Sequence, residues 1–368
     1  MAESTPTIYD VAERAGVSIA TVSRALNSLE SLRPATRDKV LRAMEELDFV
    51  PNTIARGLSI GKHGILGLVF TRVAGEYDGL AVEEASLLYT DIVIRGAETR
   101  AADKGYSLLL SSFDETHPSG MSALLSLTGT VDGLIVLDRV LSEEDVAYLA
   151  RRIPVVLLAG RGDSSAAITV RVDNEQAMDS LAEHLVAVHR VTRVGFVTGD
   201  MQSPDAQARA QGFRRSMAAR GVTLNDADVL EADWTSASSE SVMRARLDLD
   251  QELPEVFACS NDQMAVGVIF ALQERGVRVP EDVLVTGFDD ITLTRYFNPT
   301  LTTIRQSGRL LGAVAVDALV STIDGDAGVD RTIVLATQLV VRSSCGCSSE
   351  NDEPARDFAA GAPKRVEA

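Results

Sequence analysis

The chain has 368 residues, 45% hydrophobic and 24% charged, with three cysteines and a formal net charge of −18. That length exceeds one ordinary domain and suits two or three. No apolar run reaches the roughly 18 residues of a membrane span, and so few cysteines, odd in number, argue against a disulfide framework and fit a reducing cytoplasm. The polar start, Met1 to Thr7, lacks the apolar core of a signal peptide, so a cytoplasmic protein is expected.

The acid is unevenly spread. Residues 1–62 carry eight Lys/Arg and eight Asp/Glu, so the whole excess lies in residues 63–368. A neutral N-terminal unit can bind DNA if its basic groups are aimed at phosphates, while an acidic body repels DNA wherever it is not docked.

Ile8, Val11, Ala12 and Ala15 are spaced for one helical face, which Gly16-Val17 interrupts. Ser18 is placed to cap a second helix to about Leu26. A third helix is predicted over Ala35 to Leu47 on the stripe Val40, Leu41, Met44 and Leu47, ended by Pro51 and Asn52. From Gly64 the pattern changes to strand-length apolar runs alternating with helices: Ile65–Phe70, Ser107–Ser111, Leu134–Leu137, Val155–Ala159, Val194–Thr198, Val256–Ser260 and Leu284–Phe288. Buried-type strands alternating with helices predict parallel, doubly wound sheets, and some 280 residues of them predict two subdomains. The polar, Pro- and Gly-containing stretch 348–368 is expected to be a disordered tail.

Two short helices joined through Ala15-Gly16-Val17 make a helix-turn-helix, whose second helix presents its N-terminal side chains to the major groove. Tyr9, Ser18, Thr21, Ser23 and Asn27 are polar groups suited to phosphates, which fix register without reading sequence. The stretch "VAERAGVSIATVSRALN", continued by "RDKVLRAMEELDFVPNTIARGL", resembles the headpiece of the lac-repressor/gal-repressor family. The resemblance implies that Ile19, Ala20 and Arg24 touch base edges. Arg can bind guanine bidentately, and Ile and Ala can contact thymine methyls. It also implies a hinge helix over Pro51–Leu58, with Asn52 and Ala55 on DNA and Leu58 as a minor-groove wedge. For Ile19 the alternative is a core position of the three-helix unit.

The rest of the chain, to about residue 347, resembles the periplasmic sugar-binding fold of the same family, most strongly in "CSNDQMAVGVIFALQERGVRVPEDVLVTGFDD" and "PTLTTIRQSGRLLG". The fold expected is thus an N-terminal all-α helix-turn-helix headpiece (1–50) with a hinge helix and linker (51–63), then an α/β periplasmic-binding-protein-like body of two doubly wound parallel-sheet subdomains (64–347). The N-subdomain is expected at about 64–165 plus 297–326 and the C-subdomain at about 166–296 plus 327–347. Facing strand ends make a ligand cleft. Asn261 and Asp289 follow predicted strands and are candidate contacts. The resemblance adds Arg209, in "RAQGF", and Trp234 as the aromatic wall of a sugar pocket. Tyr89 is the counterpart of its aromatic contacts in the segment 71–90, which is longer than usual. Donors, acceptors and one flat apolar surface suit a polyhydroxylated effector. Asp262 could equally cap a helix, Asp290 could be a turn acid, Asp173-Asn174 could start a helix, Arg209 could pair with a structural carboxylate, and Trp234 could be core.

Rival chemistry finds little support. No phosphate loop, nucleophile elbow or zinc-protease helix is present. His63, His117, His184 and His189 show no ligand spacing, and the last two, five apart, are expected to face solvent. Cys345-Gly-Cys347 lacks a partner pair, so a structural role is preferred and no metal or cofactor is expected. A transport protein would need an export signal and no helix-turn-helix, and an architectural DNA protein would have no use for a ligand body. The expected partners are a pseudo-palindromic double-stranded operator, a small effector, a carbohydrate first and a nucleobase second, and a second copy of the chain, because half-sites mirror protein symmetry.

Overall fold

The computed structural model describes residues 6–27, 32–49, 62–71, 87–113, 120–137, 141–160, 166–249, 251–326 and 328–348. The chain divides into two compact units, Met1–Gly64 and Ile65–Ala368.

Among the described residues, the first unit holds three helices, α1 (Ile8–Ala15), α2 (Ile19–Asn27) and α3 (Pro34–Glu46). In α1, the Thr7 amide and hydroxyl both donate to the Asp10 carboxylate at 2.7 Å, tying down the first turn. The helix ends at Gly16, whose φ of 63° lets its amide and that of Val17 return to the carbonyls of the last turn. Val11, Ala12, Val22, Ala25, Val40 and Ala43 fill the small core. Leu41, expected in the α3 stripe, instead lies 42% exposed. It sits about 100° round the helix from Val40, and Ala43 takes the inward place.

The second unit contains two six-stranded sheets. The first takes its strands in the order β11-β5-β4-β3-β1-β2, with β1 (Ile65–Thr71), β2 (Ser107–Phe113), β3 (Gly133–Leu137), β4 (Val155–Leu158), β5 (Ile168–Val172) and β11 (Thr332–Leu335). The second runs β12-β10-β9-β8-β6-β7, with β6 (Val194–Thr198), β7 (Leu224–Glu231), β8 (Val256–Cys259), β9 (Leu284–Asp289), β10 (Thr302–Arg305) and β12 (Gln338–Val340). Every pairing is parallel except β10 with β12. The helices are α4 (Leu87–Asp103), α5 (Gly120–Leu127), α6 (Glu143–Ala150), α7 (Asn174–Ala187), α8 (Pro204–Ala219), α9 (Ser236–Leu247), α10 (Asp262–Glu274) and α11 (Gly308–Ile323).

The chain changes sheet at three places that differ from the subdomain limits expected from sequence. Strand β5 lies beside β4 in the first sheet, β10 beside β9 in the second, and β11 returns to pair with β5. The crossings therefore fall after Val172, Arg305 and Leu335 rather than near 165, 296 and 326. Strands such as Ile168-Thr-Val-Arg-Val172 and Thr302-Thr-Ile-Arg305 mix polar and β-branched residues, so they do not stand out as apolar runs. Helices α4 and α11 meet backbone to backbone. A Cβ at Gly96 would strike the Arg309 carbonyl, and one at Gly312 the Val93 carbonyl. Among the described residues, no helix is long and apolar enough to cross a membrane.

Candidate functional site

In the first unit, Ser18 caps α2. Its hydroxyl accepts from the Thr21 amide at 3.2 Å and shares a 2.9 Å hydrogen bond with the Thr21 hydroxyl. That geometry buries Val22 and Ala25 and leaves Ser18, Ile19, Ala20 and Arg24 exposed along the first turns, with Thr21 and Ser23 half-buried. Ile19 is 43% and Tyr9 66% exposed, so Ile19 is not a core residue of the three-helix unit. Asn27 closes α2. Asn52, Ala55 and Leu58, with the rest of the expected hinge, lie outside the described residues, as do the tail and most of the segment 71–90.

In the second unit a cleft opens at the carboxyl ends of both sheets. From the first sheet it is walled by Leu68, Phe70, Leu137 and Leu158, joined by Tyr89 on α4. From the second it receives Arg209, Trp234, Asn261 and Asp289. All five residues expected there line this one cleft, which the two-sheet topology explains: loops leaving parallel strands converge at that end.

Arg209 organises the polar wall. It is 2% exposed and sits inside α8, on its second turn, rather than at the helix start. Its Nε donates to Asn174 Oδ1 at 3.0 Å and its Nη1 to the Ser260 carbonyl at 2.6 Å. Asp205 lies 3.6 Å and Asp289 3.9 Å away, and the guanidinium stacks 3.6 Å from the Phe288 ring centroid. The pairing with carboxylates is thus present, yet the same group faces the cleft. Asp289 accepts from Gln306 Nε2 at 2.5 Å. Burial pushes its carboxyl up to about 7, against the opposing pull of Arg209 and Gln306. Asp289 and Trp234 both hold positive φ, 116° and 78°, conformations that cost energy and are kept where surrounding structure imposes them. The Trp234 ring lies against the Gly199 backbone, where a Cβ would collide with it.

Some roles differ from the alternatives left open. Asn261 caps α10, its Oδ1 accepting from the Met264 amide at 2.8 Å while its Nδ2 donates to the Trp234 carbonyl at 3.0 Å. Asp262 is neither cap nor cleft contact. It is wholly buried, accepting from Thr303 Oγ1 and the Ile291 amide, and burial raises its carboxyl well above the usual range. Asp290 is more than a turn acid, because it binds Arg305 and Arg342 at 2.6 Å each. Asp173 caps α7, its Oδ1 accepting from the Gln176 amide at 3.1 Å. Sequence reasoning missed Asp205 and Gln306 as cleft residues. Ser203-Pro204-Asp205, the start of a helix straight after a strand-end loop, was the available signal for the first.

His184, His189, Cys345 and Cys347, read as unrelated, stand together. Their ligating atoms lie within 4.8 Å of one another. Neither histidine faces solvent freely: both are half-buried, His184 in the last turn of α7 and His189 just past its cap Val188, with the two rings edge-on and their centroids 4.9 Å apart.

A three-helix unit with an exposed recognition helix, followed by a two-sheet body with a polar cleft, defines the class of ligand-controlled DNA-binding regulators. The signature described as bacterial regulatory proteins, lacI family, matches residues 7–52, and that of a periplasmic binding protein-like domain matches residues 182–345. The chain is therefore a member of the lacI family of bacterial regulatory proteins, a transcriptional regulator whose relatives include repressors. It is 32% identical to catabolite control protein A of Priestia megaterium, over 89% of this chain and 95% of that protein. It is equally 32% identical to the transcriptional repressor PurR of Vibrio vulnificus, over 92% and 98%. Among solved structures, the lac repressor dimer bound to operator and the anti-inducer ONPF matches with a TM-score of 0.80 at 28% identity, covering 92% of this chain and 99% of that chain. A complex of the regulator CelR with cellobiose matches with a TM-score of 0.66 at 27% identity, with the same coverage.

Proposed function

We propose that the chain represses transcription as a homodimer on a near-palindromic operator and that a carbohydrate in the cleft controls its grip. The observation that carries the effector reading is that Arg209, Asp289, Asn261 and Trp234 line one cleft, with the Arg209 guanidinium 5.7 Å from the Trp234 ring centroid. Fixed donors and a carboxylate pair with sugar hydroxyls, and an indole face takes the C–H side of a pyranose. The cellobiose complex of a structural neighbour supports the same class. The kinship with PurR repressors favours a second reading, a flat heterocycle stacked on Trp234.

On DNA, Ile19, Ala20 and Arg24 read base edges while Tyr9, Ser18, Thr21, Ser23 and Asn27 hold phosphates. For Tyr9, Ser18, Ile19, Ala20 and Arg24 the support is exposure: the capped start of α2 leaves its reading face open. Asn52, Ala55 and Leu58 complete the contact by family resemblance. The effector acts only through its different affinity for the DNA-bound and released states.

Titration of the full chain with sugars, sugar phosphates and nucleobases, followed by the fluorescence of Trp234, the single tryptophan, tests the effector reading. Saturation by a sugar, lost in Arg209→Ala, is expected. Saturation by a nucleobase alone selects the second reading.

A further inference from the structure

We propose that His184, His189, Cys345 and Cys347 form a tetrahedral binding site for a zinc-class divalent ion, separate from the effector cleft. His184 Nε2 and His189 Nε2 are 3.2 Å apart, Cys345 Sγ is 3.5 Å from His184 Nε2, and Cys347 Sγ is 3.4 Å from His189 Nε2. Zinc bonds of about 2.0–2.1 Å to nitrogen and about 2.3 Å to sulfur make tetrahedron edges of roughly 3.3 Å between nitrogens and roughly 3.5 Å between nitrogen and sulfur. The three measured edges fall on those values. Two imidazoles and two thiols are the donor set that favours zinc over the hard, oxygen-seeking cations.

The local backbone explains why the four atoms converge. The two histidines are spaced H-x4-H, within the usual range for a zinc ligand pair, and the last turn of α7 with the residue just past its cap brings both Nε2 atoms together. Between the cysteines, Gly346 takes φ 84°, a left-handed turn that brings both sulfurs to the same side. Cys345 is wholly buried, and the Thr302 hydroxyl lies 3.1 Å from its sulfur, placed to donate to a thiolate as an outer-shell partner. Binding replaces the two thiol protons with metal–sulfur bonds and releases them to solvent. The ion would tie the segment after β12 to the end of α7, elements about 160 residues apart in sequence.

The test uses the reduced full chain, dialysed against zinc sulfate and then against metal-free buffer, with zinc and protein quantified together. About one zinc per chain is expected, and replacement by cobalt should give the thiolate charge-transfer band and intense visible bands of a tetrahedral site. Cys347→Ser and His189→Asn, at the two less buried corners, should each weaken zinc binding by more than about 100-fold, beyond what an outer-shell change costs. Circular dichroism checks that both variants fold. A reduced, folded chain that retains no zinc and gives no tetrahedral cobalt spectrum would overturn the site, as would variants that hold zinc like the parent. A Cys345–Cys347 disulfide that forms in air even with zinc present, beside a reduced form that binds no metal, would assign the pair to redox chemistry instead.

Discussion

Arg342 and Asp290 form a closed ion pair at the base of the second sheet: Nη2 donates to Oδ1 at 2.6 Å, with side-chain exposures of 0% and 2%. Arg342 Nη1 also donates to the Leu301 carbonyl and the Thr294 hydroxyl. Against its burial, Arg342 and Arg305 hold the Asp290 carboxyl below the ordinary range. Because Asp290 adjoins Asp289, this pair fixes the backbone from which the cleft carboxylate projects.

Removing one partner of such a pair leaves a buried charge without its counterion. Arg342→Leu is expected to destabilise the second unit by about 3–5 kcal/mol, read by urea denaturation. Arg305 remains beside Asp290, which places the loss toward the lower end. A change below about 1 kcal/mol would mean that Arg305 alone compensates for the lost pair.

Arg24→Ala should remove guanine discrimination at one position per half-site, a loss of roughly 1–3 kcal/mol. Selection from randomised duplexes would show it as a relaxed base. Leu58→Ala should weaken operator binding and bending while leaving effector affinity intact. Unchanged bending in a gel-shift phasing assay removes the wedge role from Leu58.

Asp289 gives a pH signature. Its carboxyl, at about 7 in the folded chain, sits near 3.9 when unfolded, so the folded state holds the proton that the unfolded chain releases between those values. Its contribution to stability is complete below about pH 4 and is lost as the pH rises through 7. In Asp289→Asn this component vanishes, and the fall in stability from about pH 4 to 7 should flatten by up to about 1.4 kcal/mol per pH unit. Parallel curves for parent and variant would place the titration elsewhere.

Gly312→Ala should destabilise the second unit by about 1–3 kcal/mol, because the added methyl meets the Val93 carbonyl and the α4–α11 crossing must open. The same shift moves Tyr89, so effector affinity should fall with stability in the titration described above. An Ala variant as stable as the parent would show that the two helices separate freely.

How much of this could be read in advance follows the range of the forces involved. The helix-turn-helix was legible because its determinants are local: Ser18 caps α2, Gly16 supplies the left-handed turn, and Ile8, Val11, Ala12 and Ala15 follow helical spacing within α1. The buried strands were legible as apolar runs and Asn261 and Asp289 as polar groups at strand ends, whereas Arg209 and Trp234 were legible only through the family resemblance. The sheet to which β5, β10 and β11 belong was not legible, since mixed strands take their place from neighbours distant in sequence. Nor was the wholly internal position of Asp262, which depends on Thr303 and on the amide of Ile291. The histidine–cysteine cluster is the extreme case. Sequence alone determined the residue types and the two short spacings, whereas only the tertiary structure decided that α7 and the segment after β12 meet. Convergence of side chains is a property of packed surfaces, and chain proximity does not encode it.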